Sequence, residues 1–432
     1  MVDIKIKSVK KLKGEIKVPG DKSISHRAVM IGSLAKGVTE IEGFLNSEDC
    51  LSTVRAFRAM GVCIEEGVSG SKLTIEGRGL GGLSAPEQVL NVGNSGTTMR
   101  LLLGILAGQD FPVVLTGDDS LVERPMKRVT EPLRKMGALI SGREAGNLAP
   151  LTIRGGQLKA IKYKSPIPSA QVKSALLLAG LYAEGETAIT EPAKSRDHTE
   201  RMLKFFGAEV EVDGLTVKVK SRPVLTARKM TVPGDISSAS FFMVAAAMFP
   251  GSDVTITGVG VNPTRKAILE VLREMGAKIK ISPVKNALFE PIADINVKGD
   301  KLRPINLEGE IIPRLIDEIP IIAVAAALAE GVSQIRGASE LRVKETDRIK
   351  ALSVNLAKLG VKVEEVPDGL IIRGGSPLQG AEVDSFGDHR LAMAMVVAGL
   401  SARGETTVLN TDCINTSFPG FMDTLKKVMS YE

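Results

Sequence analysis

The chain has 432 residues, 44% of them hydrophobic but only 3% aromatic and none Trp. That length holds two or more domains with ample core, while so few aromatic rings argue against a stacking platform for single-stranded nucleic acid. The net charge of +6 is mild, and its lysines and arginines are interleaved with acids; this argues against DNA or an anionic membrane as partner and suits small acidic substrates.

In chain order, 3–7 and 15–18 read as strands. Val18-Pro19-Gly20-Asp21-Lys22-Ser23-Ile24-Ser25-His26-Arg27-Ala28 then makes a rigid turn into a helix start. Asp21 and Ser23 are cap candidates, and Lys22 sits where free backbone N–H groups and the helix dipole favour an anion. Taken alone, this stretch fits a capped helix with two solvated cations as well as it fits a phosphate or carboxylate pocket.

One pattern then recurs six times, at intervals of about 70 residues. A helix of small apolar residues opens each copy, near Lys22, Ser95, Ser169, Ile236, Asp317 and Asp388. A strand, an amphipathic helix and further strands follow. The amphipathic helices exit at Gly61, Gly137, Gly207, Gly276 and Gly360, each suited to a left-handed cap. The sixth copy is short and ends in a helical tail over 418–429, so the strands at 3–7 and 15–18 are expected to complete it. Because Val232-Pro233-Gly234-Asp235 repeats Val18-Pro19-Gly20-Asp21, hinges are expected near 18–21 and 232–235. The pattern predicts an α/β (α+β) protein of two three-repeat domains, 21–232 and a discontinuous 1–20 plus 236–432, closing over a cleft.

The polar groups gather at the small-residue helices. Gly93-Asn94-Ser95-Gly96-Thr97-Thr98-Met99-Arg100 is a Gly-rich helix entrance, Asp118 to Arg124 a polar loop, and Ser169-Ala170-Gln171 a source of hydroxyl and amide groups. Asp317-Glu318 brings two carboxylates, Arg342 to Arg348 alternates charge, and Asp388-His389-Arg390 opens the last copy. Each has a bland reading as a tight turn, a cap or a salt-bridged helix start. Together, Lys22, Arg27, Arg124, Lys344, Arg348 and Arg390 at corresponding entrances, with Asp317 and Glu345 among them, suit a transferase for two anionic substrates. Gly77-Arg78-Gly79-Leu80-Gly81-Gly82 has dinucleotide-like spacing but precedes Pro86 and a loop, and no phosphate loop of the Gly-x-x-x-x-Gly-Lys type occurs. His26, His198 and His389 lie far apart, without metal-ligand spacing. Cys50, Cys63 and Cys413 are scattered, which predicts reduced thiols in the cytoplasm. The N-terminus lacks an apolar signal stretch, and no apolar run is long enough to span a bilayer.

At these residues the chain resembles the 5-enolpyruvylshikimate-3-phosphate synthase family of enolpyruvyl transferases. The matching segments are 21–27, 93–100, 124–126, 168–174, 195–200, 317–320, 341–348 and 387–390. The resemblance implies two domains, each an inverse α/β barrel of three βαβαββ units. It implies that Lys22, Ser23, Arg27, Ser169, Ala170, Gln171, Arg196, Asp317 and Lys344 bind 3-phosphoshikimate. It gives phosphoenolpyruvate to Lys22, Gly96, Arg124, Gln171, Arg348 and Arg390. Catalysis would fall to Asp317, Glu345 and Lys22, with no metal or organic cofactor, no nucleic-acid or membrane partner, and a monomer in the cytoplasm that glyphosate targets. Many relatives carry a Lys just before the Phe-Pro near the C-terminus; here 415–419 reads Asn415-Thr416-Ser417-Phe418-Pro419. The alternative in the same class is a UDP-N-acetylglucosamine enolpyruvyl transferase, which uses a loop Cys that 118–124 lacks. Two others are an RNA 3′-phosphate cyclase-like enzyme and an inactive binding module on the same scaffold.

Overall fold

The computed structural model describes residues 2–430 except 69 and 286. It is a mixed α/β protein of many short strands and helices. The chain divides into two compact units, one of residues 20–232 and one joining 1–19 to 233–432.

The unit of residues 20–232 holds three four-stranded sheets of one design. In the first, Lys229–Thr231 runs parallel to Lys36–Glu42, Lys36–Glu42 pairs antiparallel with Lys72–Arg78, and that strand with Cys63–Glu66. Leu90–Asn91, Pro112–Thr116, Leu148–Arg154 and Leu139–Gly142 repeat the order. Lys162–Lys164, Glu186–Thr190, Thr216–Lys220 and Val210–Asp213 repeat it again.

Among the described residues, six helices of eight or more residues accompany these sheets: α1 Lys22–Leu34, α2 Glu48–Ala59, α3 Gly96–Leu106, α4 Lys127–Met136, α5 Ala170–Gly180 and α6 His198–Phe205. Helices α1, α3 and α5 are buried on nearly every face, which is why they lack an amphipathic stripe and rely on small or aliphatic residues. At Gly104 of α3 any Cβ would collide with the Ala175 carbonyl of α5, so close packing explains the small residue there. The other three bury one side and end at Gly61, Gly137 and Gly207, with φ of +84°, +112° and +102°. A side chain at such a left-handed cap is strained.

The second unit repeats the arrangement with changes. Asn306–Leu307, Gly331–Ile335, Gly369–Gly374 and Lys362–Val366 form a four-stranded sheet of the same order. A five-stranded sheet runs Lys278–Pro283, Ile292–Lys298, Asp253–Gly260, Lys11–Lys17, Met429–Ser430, and a three-stranded one Ile4–Lys7, Glu405–Leu409, Glu382–Asp384. Its α-helices of six or more residues are, among the described residues, α7 Ile236–Ala247, α8 Ala267–Glu274, α9 Ile319–Leu328, α10 Arg348–Lys358, α11 His389–Gly399 and α12 Phe421–Lys426.

Two expectations need correction here. Only Ile4–Lys7 joins the last sheet; Lys11–Lys17 instead runs parallel to Asp253–Gly260. The parallel place beside Glu405–Leu409 is already taken by Glu382–Asp384, and Leu12, Ile16 and Val18 bury in the same core as Val254 and Ile256. The C-terminal tail is a shorter helix than expected, and Met429–Ser430 leaves it to pair with Lys11 and Leu12. Phe418 and Phe421 fasten the tail, with ring centroids 5.4 Å apart and 5.8 and 5.5 Å from Phe242.

Candidate active site

In the unit of residues 20–232 the first turns of α1, α3 and α5 carry the polar groups. Asp21 caps α1, its carboxylate accepting the Ile24 N–H at 2.9 Å. Lys22 follows and donates to Asp49 of α2 at 3.0 Å; their side chains are 18% and 14% exposed, so the ammonium is held yet still open. Ser23, half-buried, lends its carbonyl to Arg27 Nη1 at 2.8 Å. Arg27 Nε and Nη2 donate to the hydroxyls of Thr199 in α6 and Ser174 in α5, at 2.6 and 2.8 Å. Buried Arg27 therefore braces three helices together.

Ser95 caps α3 by accepting the Thr98 N–H at 3.2 Å. One turn on, buried Arg100 donates to Gln171 Oε1 of α5 at 2.9 Å and to the Pro125 carbonyl at 3.3 Å. Arg124 donates to Asn94 Oδ1 at 2.6 Å and Ser120 Oγ at 2.9 Å. A Cβ on Gly96 would lie 2.8 Å from Arg100 Nη1 and 3.8 Å from Arg124 Nη1. The bare backbone of Gly96 thus leaves room for the Arg100 guanidinium at this helix mouth, with Arg124 at ordinary contact distance. Gln171 Nε2 closes the cluster on Thr97 Oγ1 at 3.3 Å. Ser169 caps α5, Ala170 offers only its backbone, and Arg196 lies half-buried in the segment leading to α6. Arg100 and Asp49 were not among the expected residues. The signal for Arg100 was present: like Arg27, it is an Arg one turn inside a capped helix that opens a repeat.

His26, within α1, is fully buried with Nδ1 2.7 Å from Thr53 Oγ1. Burial first, then the charges of Lys22 and Arg27, hold its pKa well below 6.5, against the pull of Asp21. The unfolded chain therefore binds a proton that the folded chain refuses, and this group's contribution is lost as pH falls below the unfolded value. The melting temperature should drop between pH of about 7 and about 5.5, and His26→Gln should flatten that limb. An unchanged slope in His26→Gln would assign the effect to other groups.

The second unit carries its own cluster. Asp388 caps α11, Oδ1 accepting the N–H groups of Arg390 and Leu391 at 2.8 and 3.3 Å, while Oδ2 accepts Arg348 Nε at 2.7 Å. Arg348, 1% exposed, also donates from Nη2 to Glu345 Oε2 at 2.6 Å and places Nη1 3.5 Å from Asp317 Oδ1. Burial works to lower the Arg348 pKa, but Asp388, Glu345 and Asp317 outweigh it and push it up, so the guanidinium stays charged. Arg390 Nη1 donates to the Asp317 carbonyl at 3.1 Å, with Nε 3.5 Å from Asp317 Oδ1. Asp317 and Glu345 keep 16% and 24% of their side chains exposed. Lys344 pairs with Glu340 at 3.2 Å, and burial lowers its pKa despite that partner.

The charged run at 342–348 divides by role. Arg342 bonds Asp347 at 2.7 Å and Glu365 at 2.9 Å as a salt-bridged helix start, whereas Glu345 and Arg348 join Asp317. Thr416 turns its hydroxyl onto the Cys413 carbonyl at 2.7 Å. Residues 82–86 form no helix, so the spaced glycines before them lack the strand–turn–helix context of a dinucleotide site. No helix among the described residues is long and apolar enough to cross a membrane.

Clusters of partly open cations at helix mouths, with two accessible carboxylates beside Arg348, define a group-transfer enzyme for highly anionic substrates. The profile of EPSP synthase (3-phosphoshikimate 1-carboxyvinyltransferase) matches residues 6–425. The chain belongs to the EPSP synthase family. It is 60% identical to the 3-phosphoshikimate 1-carboxyvinyltransferase of Desulforamulus reducens, over 99% of this chain and 100% of that one. The protein of that name from Pelotomaculum thermopropionicum is 59% identical over 99% of both chains. Among solved structures, EPSP synthase from Acinetobacter baumannii superposes with a TM-score of 0.88 at 46% identity, covering 99% of this chain and 98% of that chain.

Proposed function

We propose that the chain transfers the enolpyruvyl group of phosphoenolpyruvate to the 5-hydroxyl of 3-phosphoshikimate, releasing phosphate, in the shikimate pathway toward chorismate and aromatic amino acids. The observation that carries this is the Arg348 cluster, which sets two partly exposed carboxylates, Asp317 and Glu345, beside a fully charged, buried cation. Family membership over nearly the whole chain supports the choice of substrates.

In this scheme Lys22, Ser23, Arg27, Ser169, Ala170, Gln171, Arg196, Asp317 and Lys344 bind 3-phosphoshikimate. Lys22, Gly96, Arg124, Gln171, Arg348 and Arg390 hold phosphoenolpyruvate. Arginine forks fix carboxylate and phosphate in orientation as well as affinity. Asp317 takes or aligns the proton of the 5-hydroxyl. Glu345, with Lys22, protonates the methylene carbon, and the hydroxyl oxygen bonds the adjacent carbon to give a tetrahedral ketal phosphate. Loss of a methyl proton and of phosphate then yields the enol ether. The residues supply proton transfers and charge clamps for these bond changes, and none of the steps calls for a metal or organic cofactor.

The recurring sheet order supports six copies of a βαβαββ unit, three to a domain, arranged as inverse α/β barrels. Three free cysteines support a reducing, cytoplasmic setting, with a monomer expected.

Phosphate release from phosphoenolpyruvate, with 3-phosphoshikimate and with UDP-N-acetylglucosamine as acceptors, tests the proposal. Release is expected with the first alone; folded protein that releases none with 3-phosphoshikimate overturns it. The loop over 118–124 has no Cys to serve the second acceptor. Glyphosate, an anionic mimic of the donor side, should inhibit. Gly96→Ala should weaken that inhibition about tenfold or more, because the new methyl meets Arg100 Nη1 at 2.8 Å and displaces the group that braces Gln171. Equal inhibition constants would show that another residue sets access.

A further inference from the structure

Three buried charges that the proposed chemistry does not use lie behind the first turn of α5. Lys173 Nζ stands 2.7 Å from Glu191 Oε2 and 2.8 Å from Glu200 Oε1, all three side chains 2–4% exposed. Burial works to discharge Lys173, but Glu200 and Glu191 keep it an ammonium. Such a cluster is poor value as a source of stability, since desolvation of three ions consumes most of what their attraction returns. Its geometric effect is more specific. Glu191 Oε1, the oxygen not facing Lys173, accepts the backbone N–H of Ser169 at 3.1 Å. Ser169 is the cap of α5, and Gln171 in the same first turn accepts a hydrogen bond from Arg100. The cluster forms part of the wall of a cavity of about 310 Å³, so water can replace a removed group.

We infer that Glu191 is a positioning residue for acceptor binding: its Oε1 fixes the Ser169 N–H, while Lys173 and Glu200 balance its charge in the interior. The inference rests on the proposal that Ser169 to Gln171 contacts 3-phosphoshikimate. It differs from a stabilising role because only the hydrogen-bond acceptor at 191 should matter, not the charges themselves.

Two uncharged triple variants of the full chain separate these roles. Both carry Lys173→Met and Glu200→Gln; one adds Glu191→Gln, which keeps an oxygen for the Ser169 N–H, and the other Glu191→Leu, which does not. The Gln variant should keep the KM for 3-phosphoshikimate within about threefold of the parent, and the Leu variant should raise it about tenfold or more. The KM for phosphoenolpyruvate should stay within about threefold in both. Hydrogen exchange at the Ser169 amide should quicken in the Leu variant alone. Equal acceptor KM values and equal exchange in the two triples would overturn the inference, as would parallel rises in both KM values. Should either triple fail to fold, Glu191→Asp keeps the charge but shortens the reach, and an unchanged acceptor KM there overturns it as well. An inactive parent would instead refute the proposed reaction, and the exchange comparison would still report on the Ser169 contact.

Discussion

Lys22→Ala should lower kcat/KM by about 10²–10⁴, the range typical of removing one preorganised charge or proton-transfer group from an active site. Lys22 stands at the first helical position of α1, where the N–H groups of the opening turn and the helix dipole add to its charge. It pairs with Asp49 at 3.0 Å, and both side chains remain partly exposed, so an incoming phosphate or carboxylate can compete for the ammonium. The stability cost should be small, about 1 kcal/mol, because solvent reaches the Asp49 that is left behind. Turnover and thermal melting measured on the same preparation check both halves. Lys22→Ala within about tenfold of the parent in kcat/KM would remove Lys22 from the mechanism. A large fall in melting temperature would recast it as a structural residue, and Lys22→Ala with Asp49→Asn would then recover the stability without the activity.

The helix mouths were legible in the sequence because capping is local. Asp21, Ser95, Ser169 and Asp388 each cap a helix through an N–H two or three residues on, and the six small-residue helices start within two residues of where those signals put them. The partners that orient the charged side chains were not legible. Lys22 meets Asp49 across 27 positions, Arg100 meets Gln171 across 71, and Arg27 meets Ser174 across 147. No periodicity or propensity encodes such pairs; they follow only once the helices pack. The second N-terminal strand went astray for the same reason. The sequence reads 15–18 as a strand and the structure extends it over Lys11–Lys17, but which sheet edge is vacant is a property of the assembled unit. The run at 342–348 also shows why charge alone misleads: neighbouring ions of identical type serve a surface salt bridge at Arg342 and a buried cluster at Arg348.

Arg348→Ala should abolish both activity and much of the stability of its unit. Arg348 is the shared counter-ion of Asp388, Glu345 and Asp317, and Asp388 has no exposed surface. Removing the cation strips the buried Asp388 carboxylate of its guanidinium and leaves Arg390 beside Asp317 on that side. Breaking a buried pair in this way costs about 3–5 kcal/mol, which corresponds to a fall of roughly 10 °C in melting temperature for a unit of this size. The catalytic loss has a separate cause: without Arg348 the side chains of Asp317 and Glu345 lose the fork that helps set their orientation, and in the proposed scheme the donor loses a charge-assisted contact. Arg348→Lys separates the two. An ammonium restores one positive charge but cannot reach three carboxylates in the directions of Nε, Nη1 and Nη2. Stability should therefore recover in large part while kcat/KM stays at least about 10²-fold below the parent. Calorimetry beside steady-state kinetics reads this directly. If Arg348→Lys regains activity in step with stability, the cluster serves only as a counter-ion for folding, and orientation of Asp317 and Glu345 must come from elsewhere.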